Sequence, residues 1–125
     1  MAERILLDTN VIIGLLRGQA EAVEFFRSLT TRPFVSVVAV GELYAGVRDG
    51  AERTQLERLV SAFRVVRLDL AMAIQGGLYA RQYSRTHGVG LADGLIAAAA
   101  EFAGATLCTL NTRHFPMLSS VRRPF

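Results

Sequence analysis

Four short runs of apolar and β-branched residues alternate with amphipathic stretches along this chain. The runs are Ile5 to Leu7, Phe34 to Val38, Arg64 to Leu68 and Ala105 to Leu110. Between them, apolar residues recur at helical spacing. Strand followed by helix, repeated, predicts an α/β fold with a central parallel sheet and helices on both faces, because parallel neighbours require a crossover. An all-helical bundle is the competing architecture. It is weakened by Phe34 to Val38 and Arg64 to Leu68, which are β-branched and too short for helices. With 125 residues, 51% of them hydrophobic, the chain suffices for one core and is expected to form one domain, 1–125.

The helices follow from the same spacing. Val11 to Arg17 is expected as the first, ended by Gly18, and Ala22, Phe25, Phe26 and Leu29 mark the second. A third runs roughly from Val38 to Arg48. Asp49 to Glu52 has capping-box spacing with Asp in place of Ser or Thr, and it opens a fourth helix with Leu56, Leu59, Val60 and Phe63 on one face. Asp69 caps the longest helix, Leu70 to His87. Gly76 and Gly77 cost that helix about 1 kcal/mol each relative to Ala, which points to close helix packing. Leu91 to Ala103, with Leu95, Ile96, Ala99 and Phe102 as anchors, is apolar nearly all round and should be buried; Gly104 stops it. Asn111 to Phe115 is a short turn or helix. Val121 to Phe125 adds an edge strand, for a sheet of four to five strands.

Composition removes several classes of function. No apolar run spans a membrane, since the longest is broken by Asp93, Glu101 and Gly104. Met1 to Arg4 lacks the design of a signal peptide, and the single Cys108 allows no internal disulfide. A cytoplasmic protein is therefore expected, with Cys108 buried and inert. The net charge of +3 favours an anionic partner. All 14 basic residues are Arg, for which coding bias is a weightier cause than phosphate recognition. The lack of Lys all but removes a phosphoacceptor receiver domain, which needs one near the end of a later strand. Nor does it carry Gly-x-Gly-x-x-Gly after the first strand, as a dinucleotide-binding domain would; Gly88-Val89-Gly90 joins two helices and leads to Asp93.

Most of the 11 acidic residues sit on expected solvated faces. Asp8, Glu42 and Asp93 do not. Asp8 ends the first strand, Glu42 lies about one turn into the helix after the second, and Asp93 starts the most apolar helix. Each has a plainer reading taken alone: Asp8 as a helix cap, Glu42 as a lone acid, Asp93 as a dipole partner. Together they follow the connections that leave one edge of a parallel sheet, and those connections converge. Two like charges about 4 Å apart at an effective dielectric near 20 cost about 4 kcal/mol. A shared proton or a divalent cation relieves that cost. All-oxygen ligands favour Mg²⁺ or Mn²⁺ over Zn²⁺, the chemistry of metal-assisted phosphodiester hydrolysis.

Four stretches, in order, resemble the PIN-domain ribonucleases, and among them the VapC toxins of bacterial toxin–antitoxin pairs: LLDTNVIIGLL, VSVVAVGELYAGV, GLADGLIAAAAEFAGATLCTLNTRHF and a tail ending in RRPF. The resemblance spans nearly the whole chain. It implies a three-layer α/β/α domain that hydrolyses RNA with a metal-activated water, leaving a 5′-phosphate and a 3′-hydroxyl. Asp8, Glu42 and Asp93 fall on the family's metal-binding acids, and Thr9, Asn10 and Ser36 on the polar residues that orient them. Asn111 stands where the family often has a fourth acid, and with Thr109 it would assist from the fourth strand. Arg113 and Arg85 are candidates for phosphate contact. His114 is read as structural, and His87 as a helix-end residue without a catalytic part. The implied partners are RNA, a cognate VapB-like antitoxin held helix-in-groove against the first helices and the Val38 to Arg48 helix, and a second copy of the chain. The rival reading is a PIN-like module that binds RNA or protein without cutting, and it rests on Asn111.

Overall fold

A computed structural model describes residues 3–125. Met1 and Ala2, half of the stretch from which the lack of a signal peptide was read, lie outside the described residues. The elements run β1 (Ile5–Leu7), α1 (Thr9–Leu16), α2 (Ala20–Ser28), β2 (Phe34–Ser36), α3 (Val37–Gly46), α4 (Ala51–Ser61), β3 (Arg64–Val66), α5 (Leu70–His87), α6 (Leu91–Ala103), β4 (Thr106–Cys108) and β5 (Val121–Arg122), with a 3₁₀ turn at Thr112–His114. The five strands form one sheet in the order β3-β2-β1-β4-β5, parallel throughout. β1 lies at its centre and is buried along its length, as a strand covered on both faces must be.

The topology fixes where a site can form. Successive crossovers step from β1 through β2 to β3, and then the chain returns past β1 to β4. Right-handed crossovers in opposite directions put their helices on opposite faces, which makes the three layers. α1 packs with α2, α3 and α4, and α5 packs on α6; α3 meets both α1 and α6. The direction of winding reverses between β1 and β4, so a crevice opens at their carboxyl ends. In register, Leu7 faces Cys108, and Asp8 and Thr109 are the next residues out.

Several boundaries differ from the sequence expectation. β2 stops at Ser36 rather than Val38, because the Ser36 hydroxyl accepts from the Val38 N–H (3.1 Å) and starts α3. The capping box at Asp49 does not form. Gly50 caps α4 at φ 90°, in the left-handed region, and Asp49 pairs with Arg53 (3.4 Å). α1 opens two residues before Val11, since Asp8 takes the capping position. Phe102, expected as a buried anchor of α6, is 57% exposed. The buried part of α6 is its small residues, Gly94 and Ala97 to Ala100, with Ile96. Close packing holds for Gly76 but not Gly77. A Cβ at Gly76 would lie 2.8 Å from Leu95 Cα, and one at Gly94 would lie 2.2 Å from the Gly76 carbonyl oxygen, whereas Gly77 faces open space. Cys108 is fully buried, and burial pushes its thiol up from the ordinary value. Among the described residues, no helix is long and apolar enough to cross a membrane.

Candidate active site

Asp8 is placed by the backbone before its side chain acts. Its N–H donates to the Cys108 carbonyl (3.0 Å), extending the β1–β4 ladder by one residue. The chain then turns into α1, so the carboxylate sits at the helix N-terminus. Oδ1 accepts from the Thr9 N–H (2.8 Å), and Oδ2 accepts from the Thr109 hydroxyl (2.7 Å). The capping reading and the site reading of Asp8 therefore coexist, one oxygen serving each.

Thr109 is fully buried, and every hydrogen-bonding position of its hydroxyl is used. It donates to Asp8, and it accepts from Asn10 Nδ2 (3.3 Å) and from the Asn111 N–H (3.0 Å). Asn10 returns to the same segment through Oδ1, which accepts from the Leu110 N–H (3.2 Å). One hydroxyl thus ties the end of β1, the first turn of α1 and the segment after β4. A buried hydroxyl with all its partners holds a fixed direction, since rotating it would strand a polar atom.

Glu42 and Asp93 approach from α3 and α6. The Thr9 hydroxyl donates to Glu42 Oε1 (2.8 Å). Asp93, in the first turn of α6, accepts from the Gly90 N–H (3.4 Å) and lies 3.2 Å from His114 Nδ1. Asp8, Glu42, Asp93 and Asn111 line one cavity of about 210 Å³, with Thr9, Asn10, Ile13, His114 and Phe115. Asp8 titrates above the usual range of a carboxylic acid. Burial is the main cause, opposed by the bonds from Thr109 and Thr9 and reinforced by repulsion from Asp93 and Glu42.

This donor set suits a hard divalent cation. It offers carboxylate oxygens and an amide without sulfur, with one acid held in the charged geometry by two donors although burial opposes its charge. Among the described residues, no three His, Cys, Asp or Glu side chains close around a single point. Glu42 and Asp93 are each bonded to a neighbouring donor, and with Asp8 they line a cavity of about 210 Å³.

The remaining sequence candidates are placed unevenly. Ser36, assigned by resemblance to orienting the acids, is buried and starts α3, so it reaches the acids only through the helix that carries Glu42. Arg113 is exposed and lines a second cavity beside the first. Arg85 is exposed in the last turn of α5 and lines neither. His114, read from sequence as structural, lines the acid cavity and contacts Asp93. The signal that finds it is the three-residue spacing from Asn111. A 3₁₀ turn sets residues three apart on one side.

The PIN domain family matches this chain over residues 5–118. Ribonuclease VapC10 of Mycobacterium tuberculosis is 40% identical over 124 residues, covering 97% of this chain and 92% of that protein. Toxin FitB of Neisseria gonorrhoeae is 37% identical over 128 residues, covering 89% of this chain and 90% of that protein. A toxin–antitoxin complex from Klebsiella pneumoniae contains a chain that superposes with a TM-score of 0.83 at 22% identity, covering 97% of this chain and 98% of its own length. At that identity the match speaks for the fold.

Proposed function

Because the chain belongs to the PIN-domain family, we propose that residues 1–125 work as one domain, a metal-dependent endoribonuclease toxin of the VapC kind. The observation that carries this reading is the buried Asp8 facing Glu42 and Asp93 across one cavity, its carboxyl pushed up by burial and by their charge. Asp8 and Asp93 would hold Mg²⁺ or Mn²⁺, with Glu42 completing the site or positioning the water. Such an ion supplies a water of lowered pKa and positive charge for the phosphoryl oxygens.

The chain's own residues supply the rest. The Thr109 hydroxyl and the Thr9 N–H fix both oxygens of Asp8, so its orientation is set before substrate arrives. The Thr9 hydroxyl holds one oxygen of Glu42 and leaves the other for the cavity. Asn111 contributes a neutral amide where a fourth acid would add charge. That amide favours the rival reading, a module that binds RNA without cutting it. The two readings separate on substitution. Asp8→Asn, Glu42→Gln and Asp93→Asn should each lower cleavage of an oligoribonucleotide in Mn²⁺ by at least about a hundredfold, since each removes a ligand charge. EDTA should abolish cleavage, and the products should carry 5′-phosphates. Near-native rates in any two variants would show that the chemistry lies elsewhere, and no cleavage by the unaltered chain would leave the binding module.

An antitoxin fits the surface that adjoins the site. α1, α2 and α4 enclose an apolar groove of about 650 Å³, floored by Leu15, Leu16, Phe26 and Leu59 and edged by Arg17 and Arg58. A narrower channel of about 130 Å³ shares Leu16 and Arg17 with that groove, and Ile13 and Glu42 with the acid cavity. A partner helix in the groove could thus send a basic extension along the channel to the acids. The large groove is formed by α1, α2 and α4; α3, expected from sequence to share it with the first helices, lines the channel and, through Glu42, the acid cavity. A second copy of the chain is proposed to cover α5, where Leu70, Ile74 and Leu78 stand 76%, 56% and 46% exposed at four-residue spacing. A protein acting on cellular RNA under such control would work in the cytoplasm.

A further inference from the structure

We propose that the polar cavity beside the acids is a subsite for one backbone phosphodiester of the RNA strand, flanking the bond to be cut. The proposal deepens the ribonuclease reading and rests on it. The cavity, about 330 Å³, is lined by Thr86, His87 and Gly88 from the end of α5 and by Asn111, Arg113 and His114 from the turn after β4. It contains a guanidinium and two imidazoles but no carboxylate. The acid cavity contains three carboxylates and no guanidinium. Asn111 and His114 line both, so the two cavities are neighbours of opposite character.

An extended polyanion needs that division. One phosphate must enter among three carboxylates, which a cation can compensate only locally, and the next phosphate along the strand then needs a positive site of its own. Arg113 supplies it. Among the described residues its guanidinium takes part in no ion pair, whereas Arg53 and Arg122 are paired with acids. A free planar fork presents paired donors to phosphate oxygens. His87 Nδ1 is bonded to the Thr86 hydroxyl (2.8 Å), which leaves Nε2 for a ligand.

His114 has a different part. Its Nδ1 is turned to Asp93 (3.2 Å), and the ring lines both cavities at their junction. Gly88 also lines the basic cavity. It caps α5 at φ 66°, and a Cβ there would approach His114 Nε2 to 3.8 Å. The negative end of the α5 dipole opposes an anion here, and an Arg–phosphate contact outweighs it.

The test measures binding without cleavage. A short, fluorescent, single-stranded oligoribonucleotide is titrated in EDTA against the unaltered protein and against the double variant Arg113→Gln, His87→Asn. Both positions are exposed, so melting temperature and Mn²⁺ affinity should hold. The variant should bind about tenfold more weakly, with its salt dependence reduced by the equivalent of one phosphate contact. In a second measurement, neutral methylphosphonate linkages are introduced one at a time. The unaltered protein should be sensitive at one linkage flanking the cut, and the variant should lose that sensitivity. Binding within about twofold, with an unchanged salt slope, overturns the subsite. So does a chain that cuts RNA in Mn²⁺ yet shows no affinity for it in EDTA. A chain that neither cuts nor binds RNA sinks the ribonuclease reading together with the subsite, whereas normal cutting with unchanged binding sinks the subsite alone.

Discussion

Asp8 holds two roles in tension. Its partners favour the carboxylate, while burial and two neighbouring acids favour the neutral acid, and the second group wins: the carboxyl titrates above its ordinary 3.8. The folded chain therefore binds this proton more tightly than the unfolded chain does. Between the ordinary and the raised value it carries more protons than the unfolded chain, and stability falls as pH rises through that window. Asp8→Asn removes the titration. In EDTA, the melting temperature of the variant minus that of the unaltered chain should climb as pH rises from about 4 and then level off. A difference that stays flat with pH would mean that Asp8 is not under this strain. Asp8 and Glu42 were legible in the sequence because chain order sends the segments after parallel strands to one edge, whereas Asp93 follows the turn between α5 and α6 and joins them from the start of α6. Their partners were not legible. Thr109 and Asp8 stand 101 residues apart, and His114 meets Asp93 from an element 21 residues further along the chain.

The structural elements follow the hydrophobic pattern except where a cap decides. Val37 and Val38 prefer strand by type, yet they open α3, because the buried Ser36 hydroxyl satisfies a free N–H of the helix start. No periodicity argument separates that outcome from a longer strand. The glycines divide in the same way. From sequence, Gly76 and Gly77 look alike, but what lies across from each decides its use, and Gly94, which completes the close approach of α5 and α6, carries no sequence signal of its own. Gly94→Ala should cost at least about 2 kcal/mol, since the methyl would meet a backbone carbonyl that cannot yield. Gly77→Ala should gain about 0.5–1 kcal/mol by restricting the unfolded chain. Denaturant midpoints at equal protein concentration, with unchanged slopes, check both. Equal effects at the two positions would refute the close approach.

At the scale of the whole molecule, the surface reads as three places of contact: the acid edge with its basic neighbour, the apolar groove on one side, and the α5 stripe. A repeated element on one face suits an isologous dimer, in which each copy offers the same patch. The unaltered chain should sediment as a dimer at micromolar concentration. Ile74→Glu with Leu78→Lys should give a folded monomer, and an unaltered chain already monomeric would remove the proposal. The groove and its channel lead to a different outcome. A bound antitoxin should suppress both Mn²⁺ binding and RNA cleavage, and its basic tail should resist protease. Asp8→Asn and Glu42→Gln should weaken that protection, and a complex that still binds metal and cuts RNA would show that the partner stops short of the acids.

The ladder bond from Asp8 to Cys108 and the hydroxyl of Thr109 join segments made far apart in time. During synthesis, Asp8 emerges early and Glu42 and Asp93 follow, but of the two donors on the Asp8 carboxylate only its neighbour Thr9 is present until residues 108 and 109 have been added and β4 has docked beside β1. The proposed site is thus completed only after most of the chain has been made. The groove proposed for an inhibitor lies on α1, α2 and α4, all of which precede β4, so that surface is made before Thr109 can reach Asp8.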